Sequence, residues 1–540
     1  MADILTQIVD RRKADIAKLG VEFGFDIPKE RMRAVHPFLT QKGVILEVKR
    51  ASPSKGDIAP GLDSAATARS YAQAGAAAIS CLTETNYFKG TLGDLMNVCR
   101  AIDEYELEVA CSRAANDATS ATAKSAASEL TGYAKNCAPT LVPAVLRKDF
   151  LLSADEVDVA YRAGADAVLL IARILDTDTI IQMAQRAAGY KMTSLVEVRE
   201  DDDLHKLSAV VNALGKDTAR DFIVCGVNSR DLATFKIDLL KPCALLSKIR
   251  AILGPDARVI FESGIRTPQA ATFAGTLGFT GMLLGEAAAK NPDIRQSLVK
   301  NFVDAKETQN AKFWNEFAEL ADCSSDYIST DSNHPTTKRK PLVKICGLTQ
   351  VQDVLYADSL GADFVGFIFA AGFGRNVCDA TDDKPSRFEA MIEDLKKVKA
   401  KKIAVVTDAN SKEAHKAQEY VKQGILDCIQ LHGIPYEKVP QELLELPHYF
   451  AEINNSSEAT VTARTLFEAG EPRVLQDSKT HFYNEDSHLW IAGGLTPENV
   501  GDVVKKYHPE LVDVSGGVEL ENQTGKKDFE KIKKFFQQIL

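Results

Sequence analysis

The chain has 540 residues, of which 45% are hydrophobic and 26% are charged, as in a soluble globular protein that is too long for one core. Its net charge of −10 argues against a nucleic-acid partner, because binding a phosphate backbone needs a basic field. No apolar run reaches the roughly 18 residues of a membrane span, and the opening stretch MADILTQIVDRRKADIAKLG is typical of neither a signal nor a transit peptide. The ten cysteines lack C-x-x-C or zinc-like spacing, which predicts reduced thiols, no metal site and a cytoplasmic location.

In chain order, short runs rich in Val, Ile and Leu alternate with longer helical patterns. Before residue 290 these runs are GVILEVK, AAAISCLT, LVPAVLRK, DAVLLIAR, MTSLVEV, DFIVCGVN, ARVIFESG and FTGMLLG. After residue 340 they are PLVKICG, DFVGFIF, KKIAVVT, LDCIQLHG, PHYFAEIN, PRVLQDS, SHLWIAGG and LVDVSGG. Continuous rather than alternating hydrophobicity indicates strands buried on both faces, as in a parallel sheet between helices.

Glycines in QAGAAA, RAGADA and SLGADF stand where helices should end before the next strand. Eight strands alternating with helices match the count of a (β/α)₈ barrel. The sequence therefore predicts an α/β protein with two consecutive (β/α)₈ TIM barrels joined by a polar linker. A doubly wound open sheet is the alternative, since periodicity does not prove closure.

Composition also predicts where the domains divide. The stretch CSSDYISTDSNHPTTKRKP is polar and rich in Ser, Thr and Pro, which indicates a linker. We expect domains at 1–320 and 342–540, with the linker at 321–341. An Ala/Ser-rich segment around 110–140 fits no barrel element and predicts an insertion in the first domain.

Polar residues end several apolar runs of the first half. The run LVPAVLRKDF ends in Arg147, Lys148 and Asp149 without a gap. Because the carboxyl ends of barrel strands carry the chemistry, we expect such residues to share one pocket. The strand-end set is Glu47, Lys49, Lys148, Glu197, Asn228 and Ser263.

A second pattern occurs once in each half. ESGIRTPQAATFAG leads through a helix to GMLLGE, and AGGLTPENVGDVVKK leads to DVSGGVE. In each, a strand ends in small residues, Thr-Pro opens a helix, and a second glycine-bearing strand end follows. Small residues let backbone N–H groups approach an anion, and strands 7 and 8 of such barrels often bind phosphate. The sequence therefore predicts two phosphate sites.

Longer motifs resemble two known families. VILEVKRASPSKG, VLRKDF, LVEV, GVNSRDLATFKID, FESGI and LLGE resemble indole-3-glycerol-phosphate synthases over residues 1–300. VKICGLT, GADFVGFIF, QLHG, the Asp of VLQDSK, AGGLTPENV and DVSGGVE with GKKD resemble phosphoribosylanthranilate isomerases over 342–540. The order is similar to that of fused enzymes of tryptophan biosynthesis in some bacteria.

The first resemblance implies closure of the indole ring of carboxyphenylamino-deoxyribulose phosphate, with loss of carbon dioxide and water. It implies Lys148 as general acid and Glu197 as base in the dehydration, with Glu47 and Lys49 in support. Asn228 and Arg230 would hold hydroxyl and carboxylate groups of the substrate. Residues at the substrate and phosphate end would be Ser52, Ser263, Gly264, Gly285 and, through its backbone N–H, Glu286.

The second resemblance implies an Amadori rearrangement of phosphoribosylanthranilate. Cys346 would be the general base, Asp477 on strand 6 the acid, and Arg375 the ligand of the anthranilate carboxylate. His432 would also bind substrate, and phosphate would lie at Gly493, Gly494, Ser515 and Gly516. No metal or organic cofactor is implied, and we expect a monomer or weak oligomer whose partners are phosphorylated small molecules.

The chain departs from the isomerase pattern after Asp477, where only SKTHFYNEDSH precedes the next predicted strand. That connection is too short for the family's glycine-rich loop and helix. Two alternatives therefore stand beside a bifunctional enzyme. One is an active synthase with a degenerate, non-catalytic isomerase-like barrel. The other is a pair of phosphate-binding barrels serving another pathway, such as histidine biosynthesis. That alternative predicts Asp at the ends of strands 1 and 5, where this chain carries other residues.

Overall fold

The computed structural model describes residues 4–120, 142–230, 237–323, 340–379, 385–453, 464–468 and 488–539. The chain forms two compact units, Met1–Lys306 and Glu307–Leu540. Each unit contains a closed barrel of eight parallel strands, which confirms the predicted pair of barrels and excludes the open sheet. No helix among the described residues is long and apolar enough to cross a membrane.

The first barrel closes where its first and last strands pair, with Gly43 opposite Gly281. Its strands are β1 (Gly43–Val48), β2 (Ala78–Leu82), β3 (Ala144–Lys148), β4 (Ala167–Ile171), β5 (Thr193–Val198), β6 (Ile223–Asn228), β7 (Val259–Glu262) and β8 (Gly281–Leu284). Its helices are α1 (Ile4–Leu19), α2 (Ser64–Gln73), α3 (Leu92–Ser120), α4 (Ala154–Arg162), α5 (Thr177–Gly189), α6 (Asp201–Leu214), α7 (Lys216–Phe222), α8 (Lys241–Leu253), α9 (Pro268–Thr276), α10 (Glu286–Lys290) and α11 (Arg295–Asp304).

The second barrel closes through the pairing of Leu342 with Leu511. Its strands are β9 (Leu342–Ile345), β10 (Phe364–Ile368), β11 (Lys401–Val406), β12 (Cys428–His432), β13 (His448–Ile453), β14 (Thr465–Glu468), β15 (Trp490–Ala492) and β16 (Leu511–Val514). The helices of this unit are α12 (Gln309–Cys323), α13 (Val351–Ser359), α14 (Arg387–Leu395), α15 (Lys412–Lys422), α16 (Gln441–Leu444), α17 (Val500–Tyr507) and α18 (Phe529–Ile539).

The predicted helix ends follow from backbone conformation. Gly75, Gly164 and Gly361 have φ of 88°, 101° and 86°, a left-handed conformation that L-residues with a side chain rarely adopt. Each follows a helix and precedes the next strand after two or three residues, so the chain turns sharply back into the barrel. Strand residues between these turns are almost all buried, as the continuous apolar runs predicted.

The sixth strand of the second barrel differs from the prediction. The sequence assigned it to PRVLQDS, which includes Asp477, but the structure places β14 at Thr465–Glu468. Thr465 pairs with Phe450, and Leu466 pairs with Trp490, so β14 closes the gap between β13 and β15. TLFE and RVLQDS both have strand-like composition, and hydrophobicity alone cannot choose between two such runs. Asp477 lies outside the described residues.

This strand also changes the length of the following connection. With β14 ending at Glu468, residues 469–489 separate it from Trp490. The expectation of a connection limited to SKTHFYNEDSH is therefore wrong for this structure.

Helix α12 belongs to the second unit, whereas the sequence placed it at the end of the first domain. Trp314 lies 6.4 Å from Trp490, and Phe317 lies 6.0 Å from Phe364 and 5.1 Å from Trp490, measured between ring centroids. Glu316 forms an ion pair with Lys401. Phe364, Lys401 and Trp490 are the first residues of their strands, so α12 packs against the amino-terminal end of the barrel. The sequence missed this because an amphipathic helix does not reveal which core it covers.

The predicted insertion and linker are described only in part. Helix α3 extends to Ser120 and so enters the Ala/Ser-rich segment around 110–140. The remainder of that segment, and most of the linker at 321–341, lie outside the described residues.

Candidate active sites

The end of β3 combines a buried ion network with one residue of a pocket. Arg147 and Asp149 are 0% and 1% exposed. Arg147 donates to the Glu156 carbonyl oxygen at 2.9 Å, and Asp149 accepts from Arg12 of α1 at 2.7 Å. Lys148 between them extends to the opposite side, because successive strand residues alternate in direction. The three charges of LRKDF thus have separate roles: two fix α1 and α4 to the barrel, and one enters the pocket.

Lys148 lies between two carboxylates in that pocket. Its Nζ is 3.1 Å from Glu262 Oε2 and 3.5 Å from Glu197 Oε2. Burial alone would lower the pKa of Lys148, but Glu262, Glu197 and Glu47 raise it above the ordinary value. Lys148 is therefore a stable ammonium group that can hydrogen-bond to, and donate a proton to, a developing oxyanion.

Glu262 is a site residue that sequence reasoning missed. It is 1% exposed, and its Oε1 has no hydrogen-bond partner among the described residues. Burial raises the pKa of Glu262 to about 8, against the opposing effect of Lys148. A Cβ at Gly226 would lie 2.0 Å from Glu262 Oε1, so the glycine on β6 provides the space for this carboxyl group. Ser263 was predicted because polar residues at strand ends are expected to share a pocket. The same expectation applies to Glu262, which is the final residue of β7.

Glu47 and Lys49 form a second charged pair, with 3.1 Å between Glu47 Oε1 and Lys49 Nζ. Lys49 Nζ also lies 5.5 Å from the centroid of the Phe88 ring. A Cβ at Gly285 would lie 2.6 Å from Glu47 Oε1, so a glycine at that strand end permits the close approach. The pair is thus held between an aromatic ring and the end of β8.

The end of β7 has a backbone suited to an anion. Ser263 has φ of 73° and Gly264 has φ of 86°. A serine in the left-handed region is strained, and such strain concentrates at functional sites because it turns backbone groups toward a ligand. The Glu286 carboxylate instead accepts from Lys290 at 2.8 Å, which agrees with a role for its backbone alone.

All the residues predicted for the first barrel line one pocket. Its apolar wall includes Ile8 of α1, Phe88 and Phe150, which suits an aromatic ring beside the charged groups. The predicted lining residues are Glu47, Lys49, Ser52, Lys148, Glu197, Asn228, Arg230, Ser263, Gly264, Gly285 and Glu286.

The second barrel has a buried thiol at the end of β9. Cys346 is 6% exposed, and burial raises its pKa, while Lys344 opposes that rise. Lys344 is fully buried in the barrel and donates to Asp513 Oδ2 at 2.7 Å. A Cβ at Gly366 would lie 2.7 Å from Cys346 Sγ and 3.1 Å from Lys344 Cε, so both side chains use the space above that glycine. The thiol therefore lies close to a permanent buried positive charge.

Arg375 lies beside this thiol and beside the predicted phosphate residues. A Cβ at Gly347 would lie 2.6 Å from Arg375 Cδ and 2.7 Å from Ser515 Oγ. A Cβ at Gly516 would lie 3.3 Å from Arg375 Nη2. The structure therefore brings Cys346, Arg375, Ser515 and Gly516 together at the carboxyl end of the barrel.

His432 and Glu468 meet across the same end, with 3.0 Å between His432 Nε2 and Glu468 Oε2. The contact with His432 lowers the pKa of Glu468. Gly493 and Gly494 both have positive φ, of 88° and 65°, directly after β15. Helix α17 begins at Val500, a few residues after the Thr-Pro that was expected to open it.

Two closed barrels, each with polar side chains gathered at the carboxyl ends of its strands, define a tandem (β/α)₈ enzyme. The family model for indole-3-glycerol phosphate synthase matches residues 5–112 and 126–301, and that for N-(5'-phosphoribosyl)anthranilate isomerase matches 343–538. The chain belongs to the indole-3-glycerol phosphate synthase family, and its residues 343–538 match the isomerase model.

Curated relatives include proteins with both parts. A multifunctional tryptophan biosynthesis protein of Schizosaccharomyces pombe is 29% identical over 94% of this chain and 60% of its own length. Tryptophan biosynthesis protein TRP1 of Phytophthora nicotianae is 26% identical over 100% of this chain and 97% of its own length. An indole-3-glycerol phosphate synthase of Desulfosudis oleivorans is 33% identical over 54% of this chain and 96% of its own length.

The chain spans 60% and 62% of the length of the multifunctional proteins of S. pombe and Phycomyces blakesleeanus. Among solved structures, a phosphoribosyl anthranilate isomerase from Thermus thermophilus is 27% identical, with a TM-score of 0.30, over 37% of this chain and 98% of its own.

Proposed function

We propose that the chain catalyses two consecutive steps of tryptophan biosynthesis. The second barrel isomerises N-(5-phosphoribosyl)anthranilate to 1-(2-carboxyphenylamino)-1-deoxyribulose 5-phosphate. The first barrel closes and decarboxylates this product to indole-3-glycerol phosphate, with loss of carbon dioxide and water. The observation that carries the proposal is a separate group of polar strand-end residues in each of two barrels, matched in order by the two families.

In the first barrel, Lys148 is the general acid that protonates the substrate carbonyl oxygen as the aromatic ring attacks. Glu197 removes the proton in the dehydration, and Glu47 and Lys49 hold the reacting groups in place. Glu262 keeps Lys148 in position at 3.1 Å. Because the pKa of Glu262 is raised to about 8, the Glu262 carboxyl group retains its proton near neutral pH. Asn228 and Arg230 hold the hydroxyl and carboxylate groups. Ser52 and the backbone at Ser263, Gly264, Gly285 and Glu286 hold the phosphate end.

In the second barrel, Cys346 removes the proton from the sugar carbon next to the anomeric carbon, and Asp477 protonates the ring oxygen as the ring opens. Arg375 holds the anthranilate carboxylate, and His432 contacts the sugar. Gly493, Gly494, Ser515 and Gly516 hold the phosphate. The positive charge of Lys344 supports the role of Cys346, because a base of this kind acts as the thiolate.

The degenerate-barrel alternative depended on a connection too short to close over the substrate. Because 469–489 separate β14 from β15, that reason no longer applies. A pathway outside tryptophan biosynthesis is disfavoured by Cys346 at the end of β9, where that alternative expects Asp. We further propose that the chain works in the cytoplasm as a monomer or weak oligomer on phosphorylated small molecules.

The test is to supply the purified chain with each of the two substrates separately. Both should be consumed, and the first alone should yield indole-3-glycerol phosphate through both steps. A chain that converts only the deoxyribulose phosphate would support the degenerate-barrel alternative.

A further inference from the structure

Glu519 is the common partner of two cations in the isomerase barrel. Its Oε1 accepts from Arg375 Nε at 2.7 Å, from the Gly525 backbone N–H at 3.0 Å and from Lys527 Nζ at 3.3 Å. Its Oε2 accepts from Arg375 Nη2 at 2.8 Å. Glu519 is 8% exposed and the Lys527 side chain 0%, so these two charges are enclosed, while the Arg375 side chain is 31% exposed toward the site.

The Glu519 carboxylate fixes the orientation of Arg375. A guanidinium group has two edges that can each bind a carboxylate through two parallel hydrogen bonds. Glu519 occupies the edge formed by Nε and Nη2. Among the described residues, none is recorded as a hydrogen-bond partner of the other edge, which is formed by Nη1 and the second hydrogen of Nη2 and can receive a second carboxylate. Arg375 would otherwise have the rotational freedom of a long side chain, and binding a ligand would cost the entropy of ordering it.

Lys527 connects the same carboxylate to the phosphate end of the site. Its Nζ donates to the Ser515 carbonyl oxygen at 2.9 Å as well as to Glu519. Glu519 and Lys527 also form an antiparallel backbone bridge, which closes the turn between them. Arg375 and Ser515 lie beside Gly347, directly after Cys346, and Gly516 lies beside Arg375. Glu519 and Lys527 thus hold together the chain segments that carry the base, the carboxylate ligand and the phosphate residues.

We propose that Glu519 and Lys527 are positioning residues of the isomerase site, with Glu519 holding Arg375 so that its free edge receives the anthranilate carboxylate and Lys527 fixing Glu519 to the Ser515 strand end. The inference rests on the proposed isomerase activity. Neither residue exchanges a proton with the substrate in this role. Their contribution is to the binding of the substrate carboxylate, so it should appear in KM more than in kcat.

The test uses Glu519→Gln in the full chain, with isomerase kcat and KM measured beside the synthase rate. Gln keeps the shape of Glu but offers one oxygen in place of two, so the two-bond contact to Arg375 is lost. We expect KM for phosphoribosylanthranilate to rise at least about tenfold, the factor that corresponds to one lost charge-assisted hydrogen bond, with kcat changed by less than about threefold. Glu519→Asp should recover part of the loss because it restores the carboxylate, and Lys527→Met should raise KM by a smaller factor.

Asp427→Asn is the matched control. Asp427 accepts from the Lys402 backbone N–H at 2.8 Å and pairs with Lys402 Nζ at 3.2 Å, but it precedes β12 at the opposite end of the same barrel. This variant should leave both kinetic constants unchanged. A double-mutant cycle adds a second criterion: in an Arg375→Ala background, Glu519→Gln should have no further effect on KM.

An unchanged KM in Glu519→Gln would overturn the inference, and so would a fall in kcat alone. A lower melting temperature with unchanged kinetics in the folded protein would also overturn it, because it would mean that Glu519 only stabilises the fold. Full additivity with Arg375→Ala would overturn it too. A parent chain that is folded and active as a synthase but lacks isomerase turnover would instead refute the proposed function, and with it this inference.

Discussion

Lys148 Nζ lies 3.1 Å from Glu262 and 3.5 Å from Glu197, and these two contacts hold its ammonium group in place. Lys148→Ala should lower the synthase kcat by the ~10²–10⁴ typical of a lost general acid. Isomerase turnover should not change, because that reaction occurs in another unit. Separate assays of the two steps check this. A parallel fall of both rates in a folded variant would contradict the assignment of two independent sites.

Glu262 gives a prediction about pH and stability. Its pKa is about 8 in the folded chain, whereas glutamate in an unfolded chain titrates near its ordinary value of about 4.3. The folded chain therefore holds a proton that the unfolded chain releases, and this residue makes the free energy of unfolding fall as pH rises between those two values. Glu262→Gln removes that dependence. The free energy of unfolding of the variant minus that of the parent should therefore increase as pH rises from about 5 to about 8.

Denaturant titrations at several pH values measure this difference, on the first unit for Glu262→Gln and on the second unit for the control. Glu389→Gln is the control, because the pKa of Glu389 is lowered to about 2 by its bonds to Lys416 and Ser386. Its stabilising contribution is complete above the unfolded pKa and is lost only as pH falls toward 2, so this variant should show a constant difference from about pH 5 to about pH 8. A constant difference for Glu262→Gln as well would mean that Glu262 is ionised throughout.

The acid of the isomerase reaction can be assigned by comparing two carboxylates. Glu468 ends β14, but its contact with His432 lowers its pKa, and an ionised carboxylate has no proton to give. We therefore expect Asp477→Asn to lower isomerase kcat by about 10² or more, and Glu468→Gln to change it much less. The reverse result would make Glu468 the acid and would place the reaction at the end of β14.

At the residue scale, the sequence predicted the first pocket well because one rule covers it: polar side chains at the ends of apolar strands converge. It missed Glu262 because the neighbouring Ser263 already satisfied this rule at the end of the same strand. It could not predict that Glu519 is shared by Arg375 and Lys527, since that contact joins loops distant in sequence.

At the element scale, α12 determines where the second folding unit begins. Without α12, a fragment of 342–540 would expose Trp490 and Phe364, which are 1% exposed in the structure. We expect 307–540 to be soluble and cooperative in unfolding, and 342–540 to aggregate or to unfold at much lower denaturant. Chemical denaturation and size-exclusion chromatography of the two fragments make the comparison. Equal behaviour of both would show that α12 adds little to the barrel.

A point variant isolates the same contact. Trp314→Ala in 307–540 should cost ~3–5 kcal/mol of stability, as for other buried aromatic side chains.

The strand β14 illustrates the limit of sequence reasoning at this scale. Two neighbouring runs had strand composition, and only the pairing partners Phe450 and Trp490 decide which one closes the barrel in the structure.

At the scale of the whole molecule, the two units have separate barrels and separate sites. Cleavage between Lys306 and Glu307, at the boundary of the two units, should leave two soluble pieces, because each unit buries its own core. The amino-terminal piece should keep synthase activity and the carboxyl-terminal piece isomerase activity, each measured with its own substrate. Precipitation of both pieces would indicate that neither core is complete without the other.

The contact between α12 and β15 also has a spectroscopic consequence. The chain contains only two tryptophans, Trp314 and Trp490, and both lie in the second unit. Tryptophan fluorescence therefore reports the second unit alone, while circular dichroism reports helices and strands of both units. In one denaturant titration of the full chain, the part of the circular dichroism change that does not follow the fluorescence change is the unfolding of the first unit. The stability of each catalytic half can thus be followed without a label and without cutting the chain.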